Sequence, residues 1–591
     1  METNMSSTTN SNFEPLVVLH FSNATPVATK EWVIKRLTAS QDENDGADLL
    51  VRYDTDPESH NNILLIGATL HRLLVGAEEL RMKKSYKNKA LREFLISDID
   101  HYDNSQNPSS FLLKSEKQRI IWEEMQIVRP TEQENFVPGV PNKSVTHEND
   151  TVLNLLNSLD FIISVFPLHD KEDIKLIEHD WFMSKDALFK SQDIQRWKRL
   201  SIKLAYEWGT LDLQIFERPR SLYYGDLQRS PITSQQERRY PKWKRTLKKY
   251  LVTYPIVMAS LALSLWIYFT YYAIQQKTEK NYPLENATFL PQAKLMRMVP
   301  STGYSLLIIP MNLVYKKLAI YMSNFENHRL QSSYENHLTS KLFVFYFMNC
   351  FIGLFYEAFF NANYGNVAQL LTFFVIINAI LLKFTEQIGP YIFKRVKKNQ
   401  LVRRGSVDVK VSDAVKQAKT LTAFEGTYGD YLTIFEQYGY VALFSAVFPW
   451  VTICALINNI FELRADAFKY CYVYQRPFAQ PASNIGFWHY AFDILSSVAI
   501  VTNTALIAMQ PSVRQYFSSY TDAEYILFFV AAEHILLALK FAISFAIPDI
   551  PHEVQIAKAK NLYESNQALR REVRLLTKDF IFLKIFFSSF F

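Results

Sequence analysis

Up to about Lys249, apolar positions alternate with polar and charged ones in short stretches; beyond it they merge into long apolar runs. In the first part PLVVLHF reads as a buried strand, TKEWVIKRLTAS as a helix opening on Thr29, and ADLLVRYD as a second strand. NNILLIGATLHRLLVGAEEL and TVLNLLNSLDFIISVFPLHD add further apolar-periodic stretches. Strands alternating with helices predict a cytosolic α/β or α+β domain over 14–185, after a disordered stretch at 1–13. In the second part, runs near the 20 residues that cross hydrocarbon fall at 251–273, 298–322, 342–362, 367–393, 424–443, 446–469, 487–509 and 523–547. The break between the fifth and sixth is expected at Ala446–Pro449.

The fold class expected is therefore an α-helical polytopic membrane protein with an N-terminal soluble domain. Residues 186–249 form a basic linker and pre-membrane segment, 250–549 the transmembrane domain, and 550–591 a C-terminal tail. The run RRYPKWKRTLKK, Arg238 to Lys249, stands at the membrane edge, where basic residues favour the cytosolic side and anionic headgroups. The loop 394–419 holds nine Lys and Arg, whereas the links 362–366 and 443–446 hold none. Eight crossings and this asymmetry put both termini in the cytosol. The tail ends in KDFIFLKIFFSSFF, too short to cross and suited to an interface.

Composition changes this picture little. The chain is 49% hydrophobic and 15% aromatic, and its near-zero mean hydropathy averages two unlike halves. A net charge of +6 over 591 residues gives no reason to invoke nucleic acid. Cys350, Cys454 and Cys471 lie in or beside apolar runs and read as small core residues. Met1 to Glu14 is polar and lacks a signal-type apolar core, so the first span is expected to direct insertion. The soluble part contains no Gly-rich phosphate loop, no Gly-x-Ser-x-Gly and no Cys/His pair at metal spacing, so an enzyme is not expected. His169-Asp170 reads as a turn ending a strand, and Asp98, Asp100 and Asp103 as a solvated face.

Candidate chemistry lies in the apolar half. Gly426 to Asp466 carries Asp430 near one end and Glu462 with Asp466 near the other. The last two, at i and i+4, share one helical face. Glu386 stands at the far end of the preceding apolar run. Ionisable groups inside a span are costly and mark an ion or substrate path. Four carboxylates from three helices would suit calcium, a hard cation that takes six to eight oxygens. The alternative is that Glu462 and Asp466 merely end a helix in water.

NNIFELRADAFKYC, EQYGYVALFSAVFPW, QRPFAQPASNIGFW, NFENHRLQSSYENHL and FAIPDIP together resemble the anoctamin family, nearest to its intracellular branch. KEWVIKRL, LLVGAEEL and FPLHDKEDIKLIEHDWF extend the resemblance into the soluble part. It implies a homodimer of ten-helix subunits, built through the last transmembrane helix, acting as a calcium-activated chloride channel or phospholipid scramblase. The intracellular branch implies scrambling in the endoplasmic reticulum. By the same resemblance Glu386, Asp430, Glu462 and Asp466 match calcium ligands, and Asp549 matches an aspartate of a further site. Thr433 and Leu382 replace two ligands, Lys383 follows Leu382, and Ser544 replaces the acid before Asp549. Weaker calcium binding, with one ion rather than two, is expected. The segments WFMSKDALFK and RWKRLSIKLAYEWGTL, separated in the family by two spans, are separated here by SQDIQ alone. About eight spans rather than ten are expected, without the first hairpin.

The resemblance also implies a lipid-facing groove lined by the first five spans, whose polar residues include Ser260, Ser264, Tyr315, Lys316, Lys317, Asn349, Tyr356, Glu357, Asn378 and Lys383. The alternative for each is helix–helix hydrogen bonding. Gly389 and Pro390 offer a hinge beyond Glu386. Glu533, His534 and Lys540 in the last span are expected to pair structurally at the dimer helix. Three readings stand: calcium-regulated lipid scrambling or ion conduction in an intracellular membrane, a calcium-activated chloride channel, and an inactive variant or membrane tether. The partners expected are phospholipids, calcium and chloride.

Overall fold

The computed structural model describes the chain apart from residues 1–12, 42–45, 55–61, 88–90, 106, 108–110, 132, 146–149, 169–175, 177–193, 212–216, 230–233, 235, 283–291, 384–420, 425 and 589–591. Near the N-terminus come β1 (Val17–Phe21), α1 (Val27–Thr38), β2 (Leu50–Tyr53), β3 (Ile63–Gly67), α2 (Leu70–Glu79), α3 (Lys114–Ile127), α4 (Val152–Ser158) and β4 (Ile162–Pro167). The four strands form one antiparallel sheet in the order β2-β3-β1-β4. This is the βαββαβ arrangement of a ferredoxin-like domain, so α+β is the alternative realised. Side chains alternate between faces with period two. Val17, Leu19, Phe21, Leu64 and Ile66 enter the main core, whereas Val18, Ile63 and Leu65 join Phe166 on the other face. Each such burial contributes about 1.5–3 kcal/mol.

Helix α1 begins at Val27, two residues before the expected Thr29. Pro26, in extended conformation, leads into it, and the Thr29 hydroxyl donates instead to the Pro138 carbonyl at 2.5 Å. A proline before the first turn supplies a preset φ. His169 and Asp170 lie outside the described residues. Two members of the expected solvated acidic face are hydrogen-bonded: Asp98 accepts from Tyr86 at 3.1 Å and Asp103 from Ser85 at 2.9 Å.

After α5 (Ile194–Glu207) and a short hairpin come α6 (Lys242–Lys248), α7 (Tyr254–Asn281), α8 (Gln292–Phe325), α9 (Gln331–Phe355), α10 (Tyr364–Lys383), α11 (Tyr428–Phe444), α12 (Trp450–Tyr472), α13 (Phe487–Ala508), α14 (Asp522–Ala546) and α15 (His552–Ser588). A helix stands at each of the eight predicted runs. Four rods among the described residues are long and apolar enough to cross a membrane: Lys242–Asn281, Gln331–Phe360, Phe487–Ala508 and Asp522–Ala546. Helix α11 has 17 residues, α12 carries several charges, and α8 contains Pro300 and Pro310.

Phe351, Leu354, Phe435, Leu443, Phe444, Trp488 and Leu495 form the centre of the bundle between α9, α11 and α13. Gly439 lets α11 approach α9, because a Cβ there would run into the buried Phe351 ring. Helix α14 instead turns Ile526, Leu527, Ile535 and Phe545 outward. Lys540 on it pairs within the chain, with Asp493 on α13 at 3.1 Å.

Candidate functional site

Helices α11 and α12 are antiparallel, joined by a short turn that ends at Pro449. The expected break is therefore observed, and Asn503 of α13 holds it. Asn503 donates to the Ala442 carbonyl at 2.6 Å and accepts from the Ala446 amide at 3.0 Å and the Ser445 hydroxyl at 3.1 Å. A second latch lies further along the pair, where Gln437 donates to the Ala455 carbonyl at 2.7 Å and accepts from Asn458 at 3.2 Å. This hairpin returns the end of α12 to the start of α11. Asp430, in the first turn of α11, consequently meets Asp466, near the end of α12.

The group that joins them is Lys469, one helical turn beyond Asp466. Its ammonium lies 2.6 Å from Asp430 and 3.0 Å from Asp466. Its side chain is 2% exposed, against 24% and 25% for the two carboxylates. Tyr470 donates its hydroxyl to the other oxygen of Asp430. Glu462, half-buried, stands one turn before Asp466 on the same face of α12. Thr433 turns its hydroxyl back to the Gly429 carbonyl at 3.2 Å. The donor set is right in kind for a hard cation, and it already gathers a positive charge, that of lysine. Glu386, Gly389 and Pro390 lie outside the described residues.

Beside this cluster opens a cleft of about 1020 Å³, reached by Asp430, Lys316, Glu335, Tyr428, Trp197 and Trp208. Of the expected groove residues, Lys317 is exposed, and Lys316 and Glu357 are half-buried. Asn349 lies inside the contact of three helices, accepting from Ser264 of α7 and donating to Asn312 of α8 at 3.0 Å. Its polar atoms are used in holding the bundle together. Asn378 and Lys383 fall on α10, whose side chains there are not described. Asp549 is ion-paired with Lys198 of α5 at 2.5 Å.

Three features escaped the sequence reading. Lys469 was legible only as an i+3 neighbour of Asp466. Glu436, inside an apolar run, accepts from the Cys350 thiol at 3.2 Å. The third is a buried corner between α8 and α9. There Glu326, His328 and His337 bring their ligand-type atoms within 4.8 Å of one another. Two ammonium groups border it: Lys341 is 3.0 Å from Glu326, and Lys249 is 3.1 Å from His337. His328 meets Glu326 at 2.7 Å. Burial alone would raise the Glu326 pKa, but the bond from His328 and the Lys341 charge outweigh it and bring it to about 2. Burial pushes His328 below the ordinary imidazole value, against the pull of Glu326. The corner thus pairs Glu326 with Lys341 and His328 and ties three segments at one end of the bundle.

The family described as "Anoctamin: Calcium-activated chloride channel" matches residues 188–561. Anoctamin-10 of Homo sapiens is 32% identical, over 97% of this chain and 96% of its own length. Anoctamin-10 of Danio rerio is 33% identical over 95% and 97%, and anoctamin-8 of Mus musculus 22% over 95% and 78%. The chain belongs to the anoctamin family. The carboxylates where α11 begins and α12 ends therefore sit in a chain whose family carries calcium activation in its own description. As an anoctamin it belongs to a family of membrane proteins, and four of its described helices are long and apolar enough to cross a membrane. The human comparison runs over 644 positions, more than the 591 residues of this chain, so that relative has stretches with no counterpart here.

Proposed function

We propose that this anoctamin moves phospholipids between the leaflets of an intracellular membrane, the endoplasmic reticulum, under the control of calcium. The observation that carries this reading is the meeting of Asp430 and Asp466, from two antiparallel helices, around one positive charge beside a large cleft. Calcium, when bound, supplies a double positive charge to oxygens of Asp430, Glu462 and Asp466, with Glu386 as the expected fourth carboxylate. Where Lys469 does not compensate them, these acids repel one another; Gly389 and Pro390 are the proposed hinge.

Scrambling needs no covalent step, and no catalytic role is assigned to the chain. Its barrier is the headgroup, since burying an isolated charge in hydrocarbon costs on the order of tens of kcal/mol. A polar furrow keeps the headgroup wet while the acyl tails stay in lipid. Lys316, Lys317 and Glu357, with Asn378 and Lys383, are the residues proposed to line it. The family description favours a second reading, calcium-activated chloride conduction, along the same helices. The outward apolar face of α14 supports a homodimer through that helix. We place both termini in the cytosol. The length of the human comparison supports the absence of the first helical hairpin.

The test is reconstitution of the full chain in liposomes with headgroup-labelled fluorescent lipid. A membrane-impermeant reductant should bleach both leaflets with calcium and mainly the outer one with EGTA, while chloride flux is recorded in parallel. Bleaching confined to the outer leaflet in both conditions rejects scrambling. Flux of chloride without lipid exchange selects the channel.

A further inference from the structure

Lys469 occupies the place where the α11 and α12 acids converge. Three hydrogens on an ammonium allow it to serve both Asp430 and Asp466 at once, at 2.6 and 3.0 Å. With its side chain almost wholly enclosed, it is a fixed part of the contact rather than a surface lysine that swings past. A cation placed between these carboxylates would stand within a few ångströms of that ammonium, and like charges at such range repel strongly when partly desolvated. The three described acids, Asp430, Glu462 and Asp466, then offer an incoming ion less negative charge than their number implies.

We propose, building on the calcium-regulated reading above, that Lys469 is a tethered competitor of calcium. Its ammonium neutralises Asp430 and Asp466 and holds the ends of α11 and α12 together while no divalent cation is present. Calcium enters only as Lys469 withdraws from the two carboxylates. The chain thereby carries its own low-affinity setting, independent of how many acids face the ion. The α11–α12 contact also persists without calcium.

The experiment uses the full-length protein in lipid nanodiscs, with calcium binding read by isothermal titration and by the shift in thermal unfolding. Lys469→Gln should half-saturate at calcium concentrations lower by about tenfold or more, whereas Lys469→Arg, which keeps the charge, should resemble the wild type. Equal calcium affinity in wild type and Lys469→Gln overturns the role of Lys469 and leaves calcium regulation standing. An increase of the same size in Lys469→Arg also overturns it, since charge would not be the cause. Absence of calcium binding in every variant removes both this inference and the calcium part of the proposed function. Hydrogen exchange on the wild type gives an independent reading if Lys469→Gln does not fold. Residues 428–444 and 450–472 should be protected alike in EGTA and in saturating calcium, and marked loss of protection in EGTA refutes the lock.

Discussion

Glu326 and His328 show how single residues make this protein sensitive to acid without any exposed switch. Glu326 stays ionised to about pH 2 in the fold, below its unfolded value of 4.5. Its contribution is complete above about pH 4.5 and is lost as pH falls toward 2, on the order of a few kcal/mol in all. His328 is held neutral, so protons favour the unfolded chain as pH drops below about 6.5, until the folded imidazole also titrates. Both effects have the same sign. Thermal midpoints of the purified protein should fall as pH is lowered from 7 to 4. His328→Gln should flatten the upper part of that fall by removing one titration, and an unchanged slope would reject this account. Lys249 and Lys341 face the same corner, and their positive charges oppose adding another.

At the scale of elements, the end of α12 is joined to the N-terminal α+β domain by one short segment. Beyond Tyr472 the chain bridges to Thr422, and Phe478 then stacks on Trp122 of α3, ring centroids 4.4 Å apart and planes 8° from parallel. Arg218 adds ion pairs at 3.5 Å to Glu79 of α2 and Glu124 of α3. Arg92 reaches Glu564 of α15 at 3.6 Å. Asp466 and Lys469 stand roughly a dozen residues before that stack along the chain. Phe478→Ala removes the stack, worth about 0.5–1.5 kcal/mol beyond its buried area. It should raise protease sensitivity of the N-terminal α+β domain while leaving the thermal transition of the helices close to wild type. A single concerted transition shifted as a whole would show the two units to be inseparable.

For the whole molecule, the uneven distribution of apolar exposure is the main fact. The central helices bury their aromatic residues against one another, whereas α14 keeps Tyr525 as its one buried member among the described residues and turns its aliphatic side chains outward. Lys540, which would be costly on such a face, is drawn back to Asp493 and Ser497 of α13. The sequence reading expected Glu533, His534 and Lys540 to pair structurally on this helix; Lys540 pairs within the chain, and the exposed His534 ring turns back to the Val530 carbonyl at 2.8 Å. Ile535→Lys with Leu539→Lys should convert the proposed dimer to monomer in mild detergent, measured by light scattering, without loss of helix content. A dimer that survives both charges must be built elsewhere.

The amino-acid order by itself indicated a first part of mixed strands and helices followed by a helical part with long apolar runs. Run length and periodicity report directly on what is buried and for how far. It also determined the break before Pro449, the shared face of Glu462 and Asp466, and the family. Partners were decided only in three dimensions. Lys469 between Asp430 and Asp466, Asn349 between Ser264 and Asn312, and Asp549 on Lys198 each depend on how one helix is rotated against another and on where a flexible side chain ends. Periodicity tells which face of a helix is apolar, but not which distant charge that face will meet. A lysine one turn from an aspartate is common on any helix, and only the return of α12 to the start of α11 makes this one a bridge.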